Sequence, residues 1–137
     1  MINSVNVSEQ TVLANQNILF NVDRVRTKSC GCNGWLHHDL GSGQFTLTKC
    51  GIYEIQFNAN VTSATPGALV FNIENNGENI GGTEMDTTVV TAGTYANISA
   101  STLVQVPCGS STTITIGNNS LISTLVKDAN IIIKRNA

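Results

Sequence analysis

The sequence contains few charged residues. Asp, Glu, Lys and Arg together make up 12% of the 137 residues, about half the usual quarter for soluble proteins. Asn, Thr, Ser and Gly take their place, and these residues suit turns and exposed strand faces better than helix interiors. The scarcity of charge therefore favours an all-β fold. A chain of this length can bury one full core, so we expect a single domain over residues 1–137.

Positive charge is particularly scarce, which argues against nucleic acid as a partner. The seven Lys and Arg residues are spread along a chain of net charge −2. The only clusters are Arg24/Arg26/Lys28 and Lys134/Arg135. Such small groups do not form the extended basic surface that neutralises a row of phosphates. We expect no nucleic-acid binding.

Long apolar runs and a secretory leader are also absent. The opening stretch MINSVNVSEQ has neither a basic n-region nor an apolar h-region. Apolar runs such as Ile131–Ile133 are far too short to span a bilayer. We therefore expect no membrane insertion, and synthesis in the cytoplasm without a signal peptide.

Signatures of catalysis are missing as well. His37 and His38 are the only histidines, and no GxSxG elbow or related nucleophile motif accompanies them. Adjacent residues of a strand point to opposite faces, so the two rings cannot serve one site without a bulge. The acidic residues fall mostly in turns or at exposed strand positions and do not form the carboxylate pair of a glycosidase. The sequence predicts that the protein is not an enzyme.

Alternation of apolar and polar residues is the main positive signal. The clearest case is IYEIQFNANV at Ile52–Val61, which is typical of a strand with one face on a core. Similar segments recur at Ile18–Val22, Leu69–Ile73, Ile98–Val106 and Ile131–Lys134. About eight to ten short strands with turn signals between them indicate a sandwich or jelly roll.

One segment resembles a known superfamily. Gly41–Phe57, GSGQFTLTKCGIYEIQF, has an aromatic–x–hydrophobic strand at Phe45–Leu47, a short turn, and a Gly-hydrophobic-Tyr opening at Gly51–Tyr53. It resembles the jelly rolls of the tumour-necrosis-factor and complement-globular-head superfamily, in particular compact bacterial and bacteriophage members such as the heads of collagen-like spore-surface proteins. The likeness extends to Leu69–Gly77 and to the terminal segment Ile131–Arg135. Many of these proteins carry Pro where this chain has Cys in the turn.

The resemblance implies a ten-stranded jelly roll that assembles as a homotrimer. Such heads are not enzymes; they cap fibres, decorate particle surfaces, or bind receptors, glycans or proteins. The chain has no collagen-like Gly-x-y run. We therefore expect a bare head on a bacteriophage virion surface, with capsid or tail proteins, or a host-surface glycan or protein, as partners. The alternative is a glycan- or protein-binding lectin-like head on a bacterial or spore surface.

A trimer needs a sheet face that packs against copies of itself. Such a face should carry less charge than a free surface, and the alternating Asn, Gln, Thr and Ser of the strands meet that condition. Four large apolar residues are candidates for either the core or the trimer seam: Tyr53, Phe57, Phe71 and Val104. The sequence leaves these two locations open.

The densest cluster of reactive side chains is SCGCNGWLHHD at Ser29–Asp39. It supplies four zinc-type ligands: Cys30, Cys32, His37 and His38. They define a second alternative function, a small zinc-binding protein. Structural zinc sites usually place two to four residues between their cysteines, whereas Cys-x-Cys in a strand separates the thiols by about 6.6 Å. We therefore expect no cofactor, and favour a loop anchored by Trp35 and Leu36.

The remaining cysteines, Cys50 and Cys108, flank two predicted strands. Both can lie at one end of a sandwich, where a bridge is geometrically conceivable, but the sequence does not fix the connectivity. The lack of a signal peptide favours reduced thiols instead.

Overall fold

The structure, a computed structural model, describes residues 1–26 and 34–136. Within these ranges the regular secondary structure consists of strands alone, and no helix there is long and apolar enough to cross a membrane. The strands are β1 (Ile2–Asn6), β2 (Gln10–Val12), β3 (Val22–Arg26), β4 (Leu36–His37), β5 (Phe45–Leu47), β6 (Gly51–Thr62), β7 (Gly67–Asn75), β8 (Glu78–Asn79), β9 (Met85–Val89), β10 (Ala96–Val106), β11 (Thr112–Asn118) and β12 (Thr124–Arg135).

The strands form two antiparallel sheets. The first sheet has the order β10-β6-β12-β1-β3, and β2 also pairs with β12. The second has the order β4-β5-β11-β7-β8, and β9 also pairs with β7. The chain crosses repeatedly between the sheets, so that the first and last strands are neighbours. This arrangement confirms the predicted all-β jelly-roll sandwich.

The core lies between the inward faces of the two sheets. On β6 the alternation of the sequence becomes an alternation of buried and exposed side chains, because successive residues point to opposite faces. Phe20 sits at the centre of an aromatic group, with ring centroids 5.5 Å from Phe45 and 6.4 Å from Phe57 in edge-to-face geometry. Each such pair contributes about 0.5–1.5 kcal/mol beyond the burial of its area.

The sequence did not decide whether four large apolar residues belong to the core or to a trimer seam, and all four lie in this core. Tyr53, Phe57, Phe71 and Val104 are at most 4% exposed within the single chain. The Tyr53 hydroxyl donates a hydrogen bond of 2.5 Å to the Lys49 carbonyl, which satisfies the polar end of a buried ring. The four residues are therefore not available for a contact between copies of the chain.

Some strands differ from their predicted positions. The predicted strand Ile18–Val22 is wrong: Ile18 and Phe20 are buried in the core, but only an isolated bridge forms there, and β3 begins at the end of that segment. The final strand is one element with a bulge, where Asp128 adopts φ 50°. The described ranges contain twelve strands rather than ten, because the two-residue strands β4 and β8 show no pattern in sequence.

Cys50 and Cys108 form a disulfide. Strands β6 and β10 pair continuously from Gly51↔Val106 onward, which brings the residues just beyond that end side by side. Their Cα atoms are 4.5 Å apart, within the range that a bridge requires. The expectation of reduced thiols is wrong for this pair. It was based on the lack of a signal peptide, whereas the strand register determines which cysteines meet.

Candidate functional site

Of the four predicted zinc ligands, the structure describes only His37 and His38, and their side chains lie in different surroundings. Cys30 and Cys32 lie outside the described residues. The His37 ring is mostly exposed, with Nε2 3.4 Å from Asp39 Oδ2, whereas the His38 side chain is completely buried. Within residues 1–26 and 34–136, no group of three or more His, Cys, Asp or Glu side chains is arranged to hold a metal ion.

His38 instead joins the two sheets at their open edge. Its Nδ1 lies 2.8 Å from Asp23 Oδ1 on β3, and its Nε2 lies 3.0 Å from the Ser42 carbonyl oxygen. The ring stacks on Phe45 with centroids 4.1 Å apart. Both polar partners are acceptors, so the doubly protonated ring donates to both and a neutral ring to only one. Arg26 contacts the other Asp23 oxygen at 3.3 Å, so the network links β3 to the segment around Ser42.

The outer face of the first sheet is a candidate for a contact with another protein. The strand register defines which side chains it carries. Two adjacent rows cross the sheet from β10 to β3: Ser101, Gln56, Ile132, Asn3 and Val25, then Ser99, Asn58, Asn130, Val5 and Val22. The flanking rows add Ile52, Glu54, Leu103 and Lys134 at one end, and Asn60, Asn97 and Lys127 at the other. We call this set of side chains the first-sheet face.

The charges of the first-sheet face have partners within the same chain. Lys134 Nζ lies 3.5 Å from Glu54 Oε2, and the Gln56 amide donates to Glu54 Oε1 at 2.9 Å. The Gln56 hydrogen bond, followed by the charge of Lys134, lowers the pKa of the Glu54 carboxyl from its ordinary value. The face therefore presents no isolated carboxylate to an approaching protein.

Amide pairs hold several short side chains of the first-sheet face in place. Asn97 Nδ2 donates to Asn60 Oδ1 at 3.1 Å, and Asn3 Nδ2 donates to Asn130 Oδ1 at 2.5 Å. Side chains that are already ordered lose little entropy when another surface covers them. This part of the face can therefore be buried at a small conformational cost.

Exposed apolar side chains lie among these amides. Within the single chain the exposed fractions are 49% for Val22, 39% for Val25, 38% for Ile52 and 63% for Leu103. Low charge combined with exposed aliphatic groups is the composition of a homo-oligomer interface. The sequence pattern assigned the polar positions of β6 and β10 to an outer face but missed the contribution of β3, whose alternation a bulge interrupts.

A separate contact ties two loops together beside this face. The Tyr95 hydroxyl donates to a Glu9 carboxylate oxygen, and Lys127 Nζ lies 4.0 Å from the centre of the Tyr95 ring. The hydrogen bond to Glu9, followed by burial and by the Glu9 charge, raises the pKa of Tyr95 to about 12. The contact fixes the segment before β10 against the segment after β1.

The strand order of the two sheets defines a jelly roll of the tumour-necrosis-factor and C1q type, as the resemblance implied. The globular domain of zebrafish complement 1qA protein superposes with a TM-score of 0.65 at 13% identity, covering 98% of each chain. Murine APRIL superposes with a TM-score of 0.58 at 12% identity, covering 95% of each chain. No protein-family model and no curated protein sequence matches the chain. At these identities the likeness shows the fold alone.

Proposed function

We propose that this protein is a non-catalytic homotrimeric head that serves as a structural or attachment module on the surface of a bacteriophage particle. The observation that carries self-association is the set of exposed aliphatic side chains on the first-sheet face, whose one carboxylate, Glu54, is paired with Lys134. The resemblance to tumour-necrosis-factor and C1q heads supplies the three-fold arrangement. The core aromatic residues are not available for this contact, because they are buried within each chain.

The energetic case for the seam rests on Val22, Val25, Ile52 and Leu103. Each is roughly half exposed, so covering each one gains about 1 kcal/mol. The four together contribute about 4 kcal/mol per copy before the costs of association. The amide pairs described above reduce that cost.

The particle location belongs to the same proposal and has a different support. It rests on the resemblance of Gly41–Phe57 to compact bacteriophage heads, whose expected partners are capsid or tail proteins. A glycan- or protein-binding head on a bacterial or spore surface is the second candidate. It is favoured by a polar groove on the second sheet that is lined by Asn15, Asn17, Gln44 and Glu74. Neither candidate assigns a catalytic role to His37 or His38.

Light scattering coupled to gel filtration tests the trimer. At micromolar concentration we expect three times the 14.5 kDa chain mass. Asn58→Arg places a charge at the centre of the first-sheet face, where burying an unpaired charge costs several kcal/mol, so the variant should be monomeric. Thr88→Arg, at an exposed position of β9 in the second sheet, is the matched control and should stay trimeric. A monomeric wild type, or an Asn58→Arg trimer as stable as the control, contradicts the proposal.

Mass spectrometry of purified particles tests the location. If the proposal is correct, the chain is recovered with capsid and tail proteins after density-gradient purification of particles from a lysate. Its absence from particles whose host cells express it would contradict the bacteriophage assignment while leaving the trimer untouched.

A further inference from the structure

We propose that a groove on the outer face of the second sheet binds a neutral saccharide. The groove encloses about 410 Å³, a size within the range of small-ligand sites. Its lining is almost entirely polar and includes Asn15, Asn17, Gln44, Glu74, Asn76 and Thr115. The groove lies on the opposite sheet from the first-sheet face, so it remains accessible in the proposed trimer.

The floor of the groove is a carboxylate held against the backbone. Thr115 Oγ1 on β11 donates to Glu74 Oε1 on β7 at 2.9 Å. A Cβ atom at Gly117 would lie 2.5 Å from the carboxyl atoms of Glu74, closer than real contacts allow. Glycine at this position is therefore what lets the carboxylate lie flat on β11, and its orientation is set before any ligand arrives.

Backbone contacts also position the two walls. On one side, a Cβ at Gly43 would lie 2.5 Å from the Ile18 carbonyl oxygen, so only glycine allows the chain around Asn17 to pass so close to the turn before β5. Asn17 in turn forms a bridge with Gly117. On the other side, Asn76 Oδ1 accepts a hydrogen bond of 2.8 Å from the β11 backbone. The walls are thus fixed relative to the floor.

The lining retains unused hydrogen-bonding capacity. The side-chain amides of Asn15, Asn17 and Gln44 have no hydrogen-bond partner within residues 1–26 and 34–136. Each amide offers two donors and an acceptor, and Glu74 adds a fixed acceptor. Sugar hydroxyls both donate and accept, and neighbouring hydroxyls on one ring can engage such groups in pairs. The inventory therefore matches a polyhydroxylated ligand.

The same inventory argues against other ligand classes. The lining has one carboxylate and no cationic side chain, which disfavours phosphates and other anions. One carboxylate is fewer than a Ca²⁺ site normally uses among its six to eight oxygen ligands. Large apolar side chains that would hold a lipid or an aromatic group are missing from the lining. A neutral saccharide is the class that satisfies all three observations.

An array of immobilised neutral oligosaccharides provides the probe, and ¹⁵N NMR titration with the soluble form of each binding sugar provides the affinity. We expect a subset of neutral glycans to bind in the presence of EDTA. Glu74→Gln keeps the shape but removes the charge, so affinity should fall about tenfold or more. Gln44→Ala, at an exposed position, should lower it about threefold. Glu84→Gln, which removes an exposed carboxylate outside the groove, is the matched control and should bind as the wild type does.

Three results would overturn the proposal: no neutral glycan binds, binding needs a divalent cation, or Glu74→Gln and Gln44→Ala bind as tightly as Glu84→Gln. Unchanged NMR dispersion and melting temperature show that each variant is folded. The site gives the attachment role a ligand class but does not require a trimer. Two outcomes separate the proposals. Glycan binding by a monomeric Asn58→Arg variant would support the groove independently of the trimer. A trimer by light scattering that binds no glycan would support the trimer and contradict the groove.

Discussion

Removing the disulfide between Cys50 and Cys108 should destabilise the protein by about 4 kcal/mol. The bridge links residues separated by 58 positions, and closing a loop of that length lowers the entropy of the unfolded chain by an amount worth about 4 kcal/mol at 25 °C. For 137 residues, an unfolding entropy of about 2.1 cal/mol/K per residue converts this into a fall of about 14 °C in melting temperature. The loss acts mainly through the unfolded state, so the native spectrum should change little.

Urea denaturation of the Cys50→Ser/Cys108→Ser double variant measures the effect at fixed protein concentration, since association would otherwise shift the midpoint. Trp35, the only tryptophan in the chain, is a suitable fluorescence probe, because its ring centroid lies 5.3 Å from that of Tyr53 in the core. With a slope of about 2 kcal/mol/M in urea, the midpoint should fall by about 2 M.

A reductant provides the control for the disulfide prediction. It should lower the wild-type midpoint by the same amount and leave the double variant unchanged. Equal midpoints for reduced and oxidised wild type, together with unlinked Cys50 and Cys108 peptides in a non-reducing digest, would show that the bridge does not form and refute the reasoning.

Three further perturbations test other contacts of the fold. His38→Ala leaves buried acceptors without their donor and should cost about 3 kcal/mol in urea unfolding, whereas His37→Ala at the exposed neighbouring position should change stability by less than about 0.5 kcal/mol. Asn118→Ala removes a buried amide that donates to Val12 O at 3.0 Å and accepts from a backbone N–H at 3.0 Å, and should cost about 2–3 kcal/mol. In an ultraviolet titration the phenol of Tyr95 should ionise at about pH 12; because this pKa is raised above its unfolded value, its stabilising contribution is complete below about pH 10 and is lost as the pH rises through about 12.

Each of these has an outcome that contradicts it. Equal destabilisation by His37→Ala and His38→Ala would mean that the buried network is not formed. A neutral Asn118→Ala variant would show that water replaces the lost amide. Tyr95 ionisation unchanged by Glu9→Ala, which removes the acceptor, would exclude the hydrogen bond as the main cause of the raised pKa.

Local pattern was sufficient for part of this fold. The alternation in Ile52–Val61 predicts both the strand and its buried side, because the period of two belongs to the strand itself and needs no partner. The same holds for Leu69–Ile73 and for the hairpin after it, where Asn76 and Gly77 adopt positive φ. Scarce charge and the segment Gly41–Phe57 then indicate the jelly roll.

The candidate sites depended on which strands pair. Ile18–Val22 alternates like a strand, yet only Val22 belongs to one, as the first residue of β3, and Phe20 forms an isolated bridge with Ser42. The groove depends on Gly117 meeting Glu74 across β11 and β7, residues that are far apart in sequence. Neither glycine nor glutamate signals that contact by itself.

The periodicity is visible in the sequence alone, and it predicts an all-β sandwich with Tyr53 and Phe57 either in the core or between copies. Only the tertiary structure placed both in the core of one chain, joined Cys50 to Cys108, and left the apolar side chains of the first-sheet face uncovered. Side-chain alternation is encoded within a few residues, whereas burial, bridging and exposure follow from a strand register between segments about 35 or more positions apart.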